Sequence, residues 1–434
     1  MNSTSFSRSR LALLGKLAPF VLILIAITIA GSWLMGSYPG LRIGSWQIAE
    51  WLINYQSGFI RRGLAGQFLF EVGGGQNLPH SLYVSTFACY ILYCGIFLAI
   101  YFMAKIRSSK ILLLAILIPG GILPMGMTMQ FFARKEILFL ILFGILCIHY
   151  LWLQRSAARW HTLIVFSFYA FAIGGGLVMM LIHEGYLFMS YPLTLLLMWI
   201  IYRENSLKKT IVFLTLLYVV VIPALFIFCA QHRGDAMSAQ LVWDSFSLSD
   251  RLVLSNAAPY TPFGPIASLG WGLQQHLLTM YSGIYSTGGW AYWLFFLVGN
   301  TLVLAYIGLQ LESLIRARNS IDYAPRYFRM LALGFFVSLM MFIVAADWGR
   351  WLAFLSNSLI LFSFTLTASP FVQSASPRRK EGGYAGGIFT SKVQRLMALP
   401  FVLLILWIYM LTFRLPECCI SPKLIWFPYS LLIS

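Results

Sequence analysis

The sequence predicts an all-α polytopic membrane protein, and three observations lead to this fold class: composition, the length of the apolar runs and the distribution of charge. Of the 434 residues, 60% are hydrophobic and 10% are charged, and the mean hydropathy is +0.80. A soluble domain carries about a quarter charged residues. This chain therefore has too little polar surface to fold in water, and we expect the bilayer to be its solvent.

Apolar runs long enough to cross a bilayer, roughly 17–25 residues, divide the single transmembrane domain (1–434) into about eleven spans. The first run follows Arg8, Arg10 and Lys16, and we interpret it as an anchor because it is long for a signal peptide and lacks a clear cleavage site. The third contains Pro119 and two glycines, which predict a kink or break midway. The predicted spans are 17–36, 82–104, 111–130, 137–153, 162–182, 186–202, 210–230, 290–312, 329–345, 351–368 and 396–413.

The loop charges orient these spans. One set of alternate loops, counted with Glu312 and Arg329 at the adjoining helix boundaries, holds 20 of the 30 Lys and Arg residues and only four of the 13 acidic residues. Because basic loops stay on the cytoplasmic side, we predict a cytoplasmic N-terminus, an external C-terminus and a bacterial inner-membrane location. The predicted cytoplasmic loops are 1–16, 105–110, 154–161, 203–209, 313–328 and 369–395.

Two predicted periplasmic segments are long. Residues 37–81 place Ile48 and Trp51 at helical spacing and resume an apolar pattern after Gly58, which predicts two short helices lying in the membrane interface. Residues 231–289 form a large loop that is too small for an independent domain but large enough to cover a site. The net charge of +17 comes from short basic clusters between apolar runs. It therefore reflects topology, and we expect no nucleic-acid partner.

Four charged motifs interrupt or end apolar runs, and the predicted topology places all four outside. The positive-inside bias disfavours Lys and Arg on the outside. We therefore predict that these basic residues are present because the four motifs form one site. The alternative for each motif is a helix end whose charges reach the headgroups, or an ion pair that fixes helix packing. The motifs lie at 57–63 (SGFIRRG), 134–136 (RKE), 183–185 (HEG) and 347–350 (DWGR).

The residue types in these motifs suit sugar transfer from a lipid-linked diphosphate. Guanidinium groups bind phosphate through paired hydrogen bonds, and a carboxylate or imidazole can take the proton of an attacking hydroxyl. The candidate bases are Asp347, Glu184 and His183, with Asp347 preferred because Arg350 can keep it ionised. The candidate diphosphate ligands are Arg61, Arg62, Arg134, Lys135 and Arg350. Since no metal-ligand spacing or phosphate loop is present, we expect neither a metal nor a cofactor.

In size, span number, the large late periplasmic loop and the outside arginines, the chain resembles the Wzy-type polymerases. These bacterial inner-membrane enzymes polymerise O-antigen, capsule or exopolysaccharide repeat units from undecaprenyl-diphosphate carriers. The resemblance implies that outside arginines contact the carrier diphosphate, and it adds Arg233 and Arg251 to the candidates. It also implies a lipid-linked oligosaccharide as substrate, with a flippase and a chain-length regulator as partners.

Three other functions stay open. The interfacial helices look like those of GT-C glycosyltransferases, which use a polyprenyl-phosphate sugar donor and place an acidic pair in that segment, where this chain has the separated Glu50 and Glu71. A lipid-linked oligosaccharide flippase or other transporter would place charges at mid-membrane depth. A structural subunit of an envelope complex predicts no convergence of the motifs. The leading hypothesis is a glycosyltransferase acting on the periplasmic face.

Overall fold

The structure, a computed structural model, describes residues 45–74, 78–126, 134–255, 258–282, 289–319, 325–339, 342, 347–373, 396–397, 399–413 and 415. Every regular element within these ranges is a helix, which confirms the all-α prediction for the part described. The first predicted span, 17–36, and most of the predicted loop 369–395 lie outside the described residues.

The helices are numbered here in chain order. They are α1 (Ser45–Trp51), α2 (Gly63–Val72), α3 (Leu78–Met103), α4 (Ser109–Leu117), α5 (Ile122–Gly126), α6 (Ile137–Leu153), α7 (Ala158–Ile182), α8 (Tyr186–Met189), α9 (Tyr191–Glu204), α10 (Lys208–Gln231), α11 (Ala236–Asp244), α12 (Leu248–Leu254), α13 (Gly264–Ala267), α14 (Leu273–Tyr281), α15 (Gly289–Asn319), α16 (Pro325–Ser338), α17 (Trp348–Leu366), α18 (Pro370–Gln373) and α19 (Pro400–Thr412). The centre of the bundle is α6, which packs against α3, α7 and α17, while α10 packs on α7 and α15 packs on α17.

Length and composition identify membrane-crossing candidates among the described helices. The four that are long and apolar enough are Val84–Met103, Ala158–Ile182, Lys208–Gln231 and Trp293–Arg318. Shorter apolar helices are Ser109–Met125, Ile137–Leu153 and Pro400–Thr412. The prediction of a helical membrane protein is confirmed by these helices, whereas the count of eleven spans and the orientation stay predictions. Helix α17 is long enough to cross, but buried Ser and Asn side chains such as Ser356 and Asn357 reduce its hydropathy.

The predicted break in the third apolar run is confirmed. Helix α4 ends before Pro119, and α5 begins after Gly120, whose φ of +77° lies in the left-handed region that favours glycine. The break frees backbone carbonyl groups inside the bundle. The Asn300 side chain donates to the Pro119 carbonyl at 2.9 Å and the Asn357 side chain donates to the Gly120 carbonyl at 2.7 Å. These two asparagines replace the lost helical hydrogen bonds, which a membrane interior requires.

The described part of segment 37–81 contains the short helices α1 and α2 before α3 begins, and short helices were predicted here from the apolar spacing. Helix α2 packs very closely on the chain that leaves α1, because a Cβ at Gly66 would overlap the Ile53 carbonyl and a Cβ at Gly63 would overlap the Tyr55 ring. This close approach fixes the turn that precedes α2. The larger segment 231–289 is also helical in part, with α11 to α14.

Candidate functional site

Helix ends bring the four motifs together at one end of the bundle. Glu136 is the N-cap of α6, His183 is the C-cap of α7 and Asp347 is the N-cap of α17, while Arg62 is the N-cap of α2. Ion pairs then join these ends across the bundle. We call the resulting group the charged cluster, and its members are Glu50, Arg61, Arg62, Arg134, Lys135, Glu136, His183, Glu184, Asp347 and Arg350.

Glu50, on α1, is the centre of the charged cluster. Its Oε2 lies 3.0 Å from Arg134 Nη1 and 3.3 Å from Arg350 Nη1, and its Oε1 lies 3.2 Å from His183 Nε2 and 3.6 Å from Arg62 Nη1. Burial alone would raise the pKa of Glu50, but Arg350, the His183 hydrogen bond and Arg134 hold that pKa well below its usual range. Glu50 is therefore an ionised carboxylate that is only 2% exposed.

Sequence reasoning did not select Glu50. It considered that residue only as one half of a separated acidic pair, and the structure places Glu71, its supposed partner, on the exposed end of α2. A signal was nevertheless present. Glu50 stands in the middle of the apolar stretch from Ile48 to Leu52, with Ala49 and Trp51 as its direct neighbours. A lone carboxylate in such an apolar stretch predicts a buried cationic partner.

Glu184 holds the arginine turn before α2. Arg62 Nε donates to both Glu184 oxygens, at 3.0 and 2.8 Å, its Nη2 contacts the same carboxylate, and Arg61 Nη1 donates at 3.2 Å. Burial would raise the pKa of Glu184, but Arg62 and Arg61 keep that pKa well below its usual range. Both oxygens are thus occupied by guanidinium groups, so the structure gives Glu184 an orienting contact rather than a free basic oxygen.

Arg62 has a strained backbone, with a φ of +69° that non-glycine residues rarely adopt. Lys135 contributes to holding it there, because its Nζ lies 3.5 Å from the Arg62 carbonyl oxygen and 3.2 Å from that of Glu50. Lys135 is itself fully buried, and burial lowers its pKa to about 8. Strained residues that the surrounding structure fixes in place concentrate at functional sites, which makes Arg62 a leading functional candidate.

Within the charged cluster and the described residues, Asp347 and Glu136 both have side-chain oxygens without a hydrogen-bond partner, and Asp347 is the more exposed of the two, at 7% against 0%. Asp347 Oδ2 lies 3.2 Å from both Arg134 Nη2 and Arg350 Nε. Its Oδ1 is buried and, within the part of the chain that the structure describes, has no hydrogen-bond partner. The two guanidinium groups fix the orientation of the carboxylate while leaving Oδ1 able to accept a proton or a hydrogen bond.

The nitrogen of His183 that faces the cluster, Nε2, is the protonated one and therefore cannot act as a base. Its Nδ1 accepts a hydrogen bond from the Gly185 backbone N–H at 2.9 Å, so the neutral ring carries its proton on Nε2. Nε2 lies 3.2 Å from Glu50 Oε1 and 3.7 Å from Glu136 Oε1. Burial, followed by the charge of Arg62, lowers the pKa of His183, which keeps the ring neutral and a hydrogen-bond donor.

Three side chains in the cluster have a spacing compatible with a metal ion, since ligand atoms of Glu50, Glu136 and His183 lie within 4.8 Å of one another. The donor set nevertheless does not fit a cation. His183 Nε2 carries a proton, and the two carboxylates already face guanidinium groups, including Arg350 Nη1 at 3.1 Å from Glu136. A divalent cation would have to displace these positive groups, which is unfavourable at such short distances.

The cluster has a buried floor and a partly exposed rim. The side chains of the floor are at most 5% exposed, and they are those of Glu50, Arg134, Lys135, Glu136 and His183. The rim side chains are 10–22% exposed, and they are those of Arg61, Arg62, Glu184, Asp347 and Arg350. With five cations and four carboxylates, the cluster carries one net positive charge. Its open side therefore favours an anion.

The two arginines suggested by resemblance lie in different places. Arg233 is exposed and close enough to Arg61 to repel its charge, and the Arg61 backbone N–H donates to the neighbouring His232 carbonyl at 2.8 Å. Arg251, on α12, pairs instead with Asp244 at 3.0 Å. The structure thus extends the rim to Arg233 and does not bring Arg251 to the charged cluster.

The helices and the charged cluster define a helical integral membrane protein with an ionised polar site at one end of its bundle. The chain belongs to the family described as "Uncharacterised membrane protein Rv1490", whose model matches residues 20–242, slightly more than half of the chain. The matched region contains every cluster member except Asp347 and Arg350. No curated protein and no solved structure matches the chain. The family supports the membrane-protein prediction, while the resemblances to Wzy-type polymerases and GT-C enzymes stay predictions.

Proposed function

We propose that this protein is a glycosyltransferase of the bacterial inner membrane that polymerises or transfers undecaprenyl-diphosphate-linked sugars at the periplasmic face. The observation that carries the proposal is the net positive charged cluster, whose rim arginines lie at helix ends. Helix ends lie at the depth of the lipid headgroups, and a lipid-linked sugar presents its diphosphate at that depth. The sugar would then extend toward the segment formed by α11 to α14.

The rim arginines suit binding of the diphosphate. Arg61 and Arg350 each use Nη1 to contact cluster carboxylates, and within the described residues neither Nη2 has an ion-pair partner. Those N–H groups can donate to phosphate oxygens without breaking the cluster. Because the carboxylates fix both guanidinium groups in advance, little side-chain entropy is lost when the anion binds. The same groups would stabilise the diphosphate as it leaves.

Asp347 is the residue to which we assign the general base. In the proposed step an acceptor hydroxyl attacks the anomeric carbon, the bond from that carbon to the diphosphate oxygen breaks, and the diphosphate departs with the electron pair. The hydroxyl proton passes to Asp347 Oδ1, the free oxygen. Glu184 and His183, the other candidates, then act as positioning residues for Arg62 and Glu50.

The test uses the full chain in lipid nanodiscs with an undecaprenyl-diphosphate oligosaccharide, and product length is measured per amount of folded protein. Asp347→Asn should leave donor binding nearly intact and slow turnover about 10²–10⁴-fold. Arg350→Lys should instead weaken donor binding, because a lysine cannot reproduce the paired guanidinium contacts. Asp244→Asn is the matched control, since Asp244 is a half-exposed carboxylate outside the cluster. Normal specific activity in Asp347→Asn would contradict the assignment of the base, and absence of product from the unmodified protein would contradict the proposal.

A single-sugar GT-C transferase with a polyprenyl-phosphate donor is the second candidate, and the position of Glu50 favours it. The resemblance to GT-C enzymes implies acidic residues in the first outside segment, and that segment supplies the central carboxylate of the cluster. The two candidates differ in donor and product. A ladder of products from the diphosphate donor supports polymerisation, whereas one added sugar from a monophosphate donor supports the second candidate.

A further inference from the structure

A second polar site lies at the opposite end of the bundle from the charged cluster. Helix α6 runs between them, and its 17 residues span about 26 Å at 1.5 Å per residue, close to the thickness of a bilayer's hydrocarbon core. The site is a cavity of about 300 Å³, lined by Leu153, Gln154, His161, Arg203, Glu204, Asn205, Pro370 and Phe371. In the predicted topology this end faces the cytoplasm.

The carboxylate in this cavity is already occupied by protein donors. Glu204 accepts hydrogen bonds from the Tyr150 hydroxyl at 2.9 Å, the Gln154 amide at 2.7 Å, the Ser369 hydroxyl at 2.5 Å and the Phe371 backbone N–H at 2.9 Å. These bonds use the lone pairs of both oxygens. Glu204 therefore ties α6, α9 and α18 together, and its carboxylate is not free to take a cationic ligand.

Arg203 supplies the charge that is free to bind. Its side chain is exposed, and no carboxylate of the described residues forms an ion pair with it. Its guanidinium lies 5.4 Å from the centre of the Phe371 ring, and Arg326 lies 4.8 Å from the same ring while donating to the Phe371 carbonyl at 3.0 Å. The cavity thus has a cationic side next to an apolar wall that includes Leu153 and Pro370.

We propose that this cavity binds the phosphate-diester headgroup of an anionic phospholipid, with Arg203 as the main ligand. A guanidinium matches phosphate geometry, and the apolar wall suits the glycerol and first acyl carbons of a lipid better than it suits a free anion. Basic pockets between helices on the cytoplasmic side are favourable sites for such headgroups, because that leaflet is anionic. The inference does not depend on the proposed enzymatic activity.

The test measures retention of phosphatidylglycerol by the delipidated full chain in detergent, using native mass spectrometry across a lipid titration. Arg203→Ala should weaken phosphatidylglycerol binding about tenfold, the effect of losing one charge-assisted hydrogen-bonding group. Arg203→Lys, which keeps the charge, should give an intermediate loss. The matched control is Arg159→Ala, because Arg159 is an exposed arginine at the same end that stacks on Trp160 and does not line the cavity.

Three results would overturn the proposal. Equal losses in Arg203→Ala and Arg159→Ala would show only general attraction to a basic surface. Equal retention of zwitterionic phosphatidylcholine would remove the role of the anionic headgroup. Displacement of the lipid by millimolar inorganic phosphate, with no preference for phosphatidylglycerol, would identify a site for free phosphate. None of these measurements uses sugar transfer as its readout, so a failure here is distinguishable from failure of the proposed function.

Discussion

Replacing Glu50 with glutamine tests whether the charged cluster is a single electrostatic unit. The substitution keeps the shape of the side chain and one acceptor oxygen but removes the charge. Four groups lie within 3.6 Å of that carboxylate, and three of them are arginines. After the change, five cations would face three carboxylates in a largely buried setting.

The expected loss can be estimated from this imbalance. Removing one partner from a buried ion pair costs about 3–5 kcal/mol, because the remaining charge stays uncompensated. At roughly 2.1 cal/mol/K of unfolding entropy per residue, the 434 residues correspond to about 0.9 kcal/mol/K. We therefore expect the thermal midpoint of Glu50→Gln to fall by about 3–5 °C.

The assay is thermal unfolding of the purified full chain in detergent at neutral pH. Glu71→Gln is the matched control, since Glu71 is exposed and its side chain accepts a hydrogen bond from the nearby Gln67 amide at 2.6 Å, and its midpoint should stay unchanged. The double variant Glu50→Gln/Arg350→Gln should recover part of the loss, because it restores one net positive charge. Identical midpoints for the Glu50 and Glu71 variants, or strictly additive losses in the double variant, would refute the idea of a single unit.

Two further predictions concern the pH dependence of stability and the topology. His183 and Glu184 have folded-state pKa values below their ordinary ones, so their stabilisation is present above the unfolded pKa and is lost as pH falls through the folded pKa. The thermal midpoint should decline below about pH 6.5 and more steeply below about pH 4.5. Glu184→Gln should reduce the decline below about pH 4.5. A midpoint that rises on acidification would contradict this prediction. For topology, a reporter inserted near Ser255 should report periplasm and one fused after Ser320 or Ser376 should report cytoplasm, and a periplasmic signal at Ser376 would invert the assigned faces.

The helical membrane fold was predictable because the bilayer imposes simple rules on a sequence. Apolar run length predicted the helices α3, α7, α10 and α15, and the Pro119–Gly120 pair predicted the break between α4 and α5. The asparagines that satisfy the break were not predicted. Asn300 and Asn357 lie far along the chain from it, and no periodicity in one segment shows which backbone groups another segment will reach.

Most members of the candidate site were predictable, but its central residue and its connections were not. The four motifs were selected because charges remained where the topology disfavours them, and the structure brings all four together. Which oxygen stays free was beyond the sequence, because it depends on distances such as the two 3.2 Å contacts of Asp347 Oδ2. Glu50 was overlooked for a related reason: a single carboxylate has no spacing pattern, and only its three-dimensional surroundings reveal its importance.

The central position of Glu50 also has a consequence for biosynthesis. Its partner Arg350 lies 300 residues later in the chain, so the ribosome delivers the acid long before the arginine. During that interval Arg62 and Arg134 can reach Glu50, but the start of α17 has not been made. One end of the protein therefore lacks two of its ten cluster members, Asp347 and Arg350, until α17 has been inserted. A chain truncated before α17 would keep the net charge of the cluster but leave Glu50 and Glu136 without Arg350 and leave Arg134 without Asp347, so the end of the bundle would be held together by fewer ion pairs than in the finished protein.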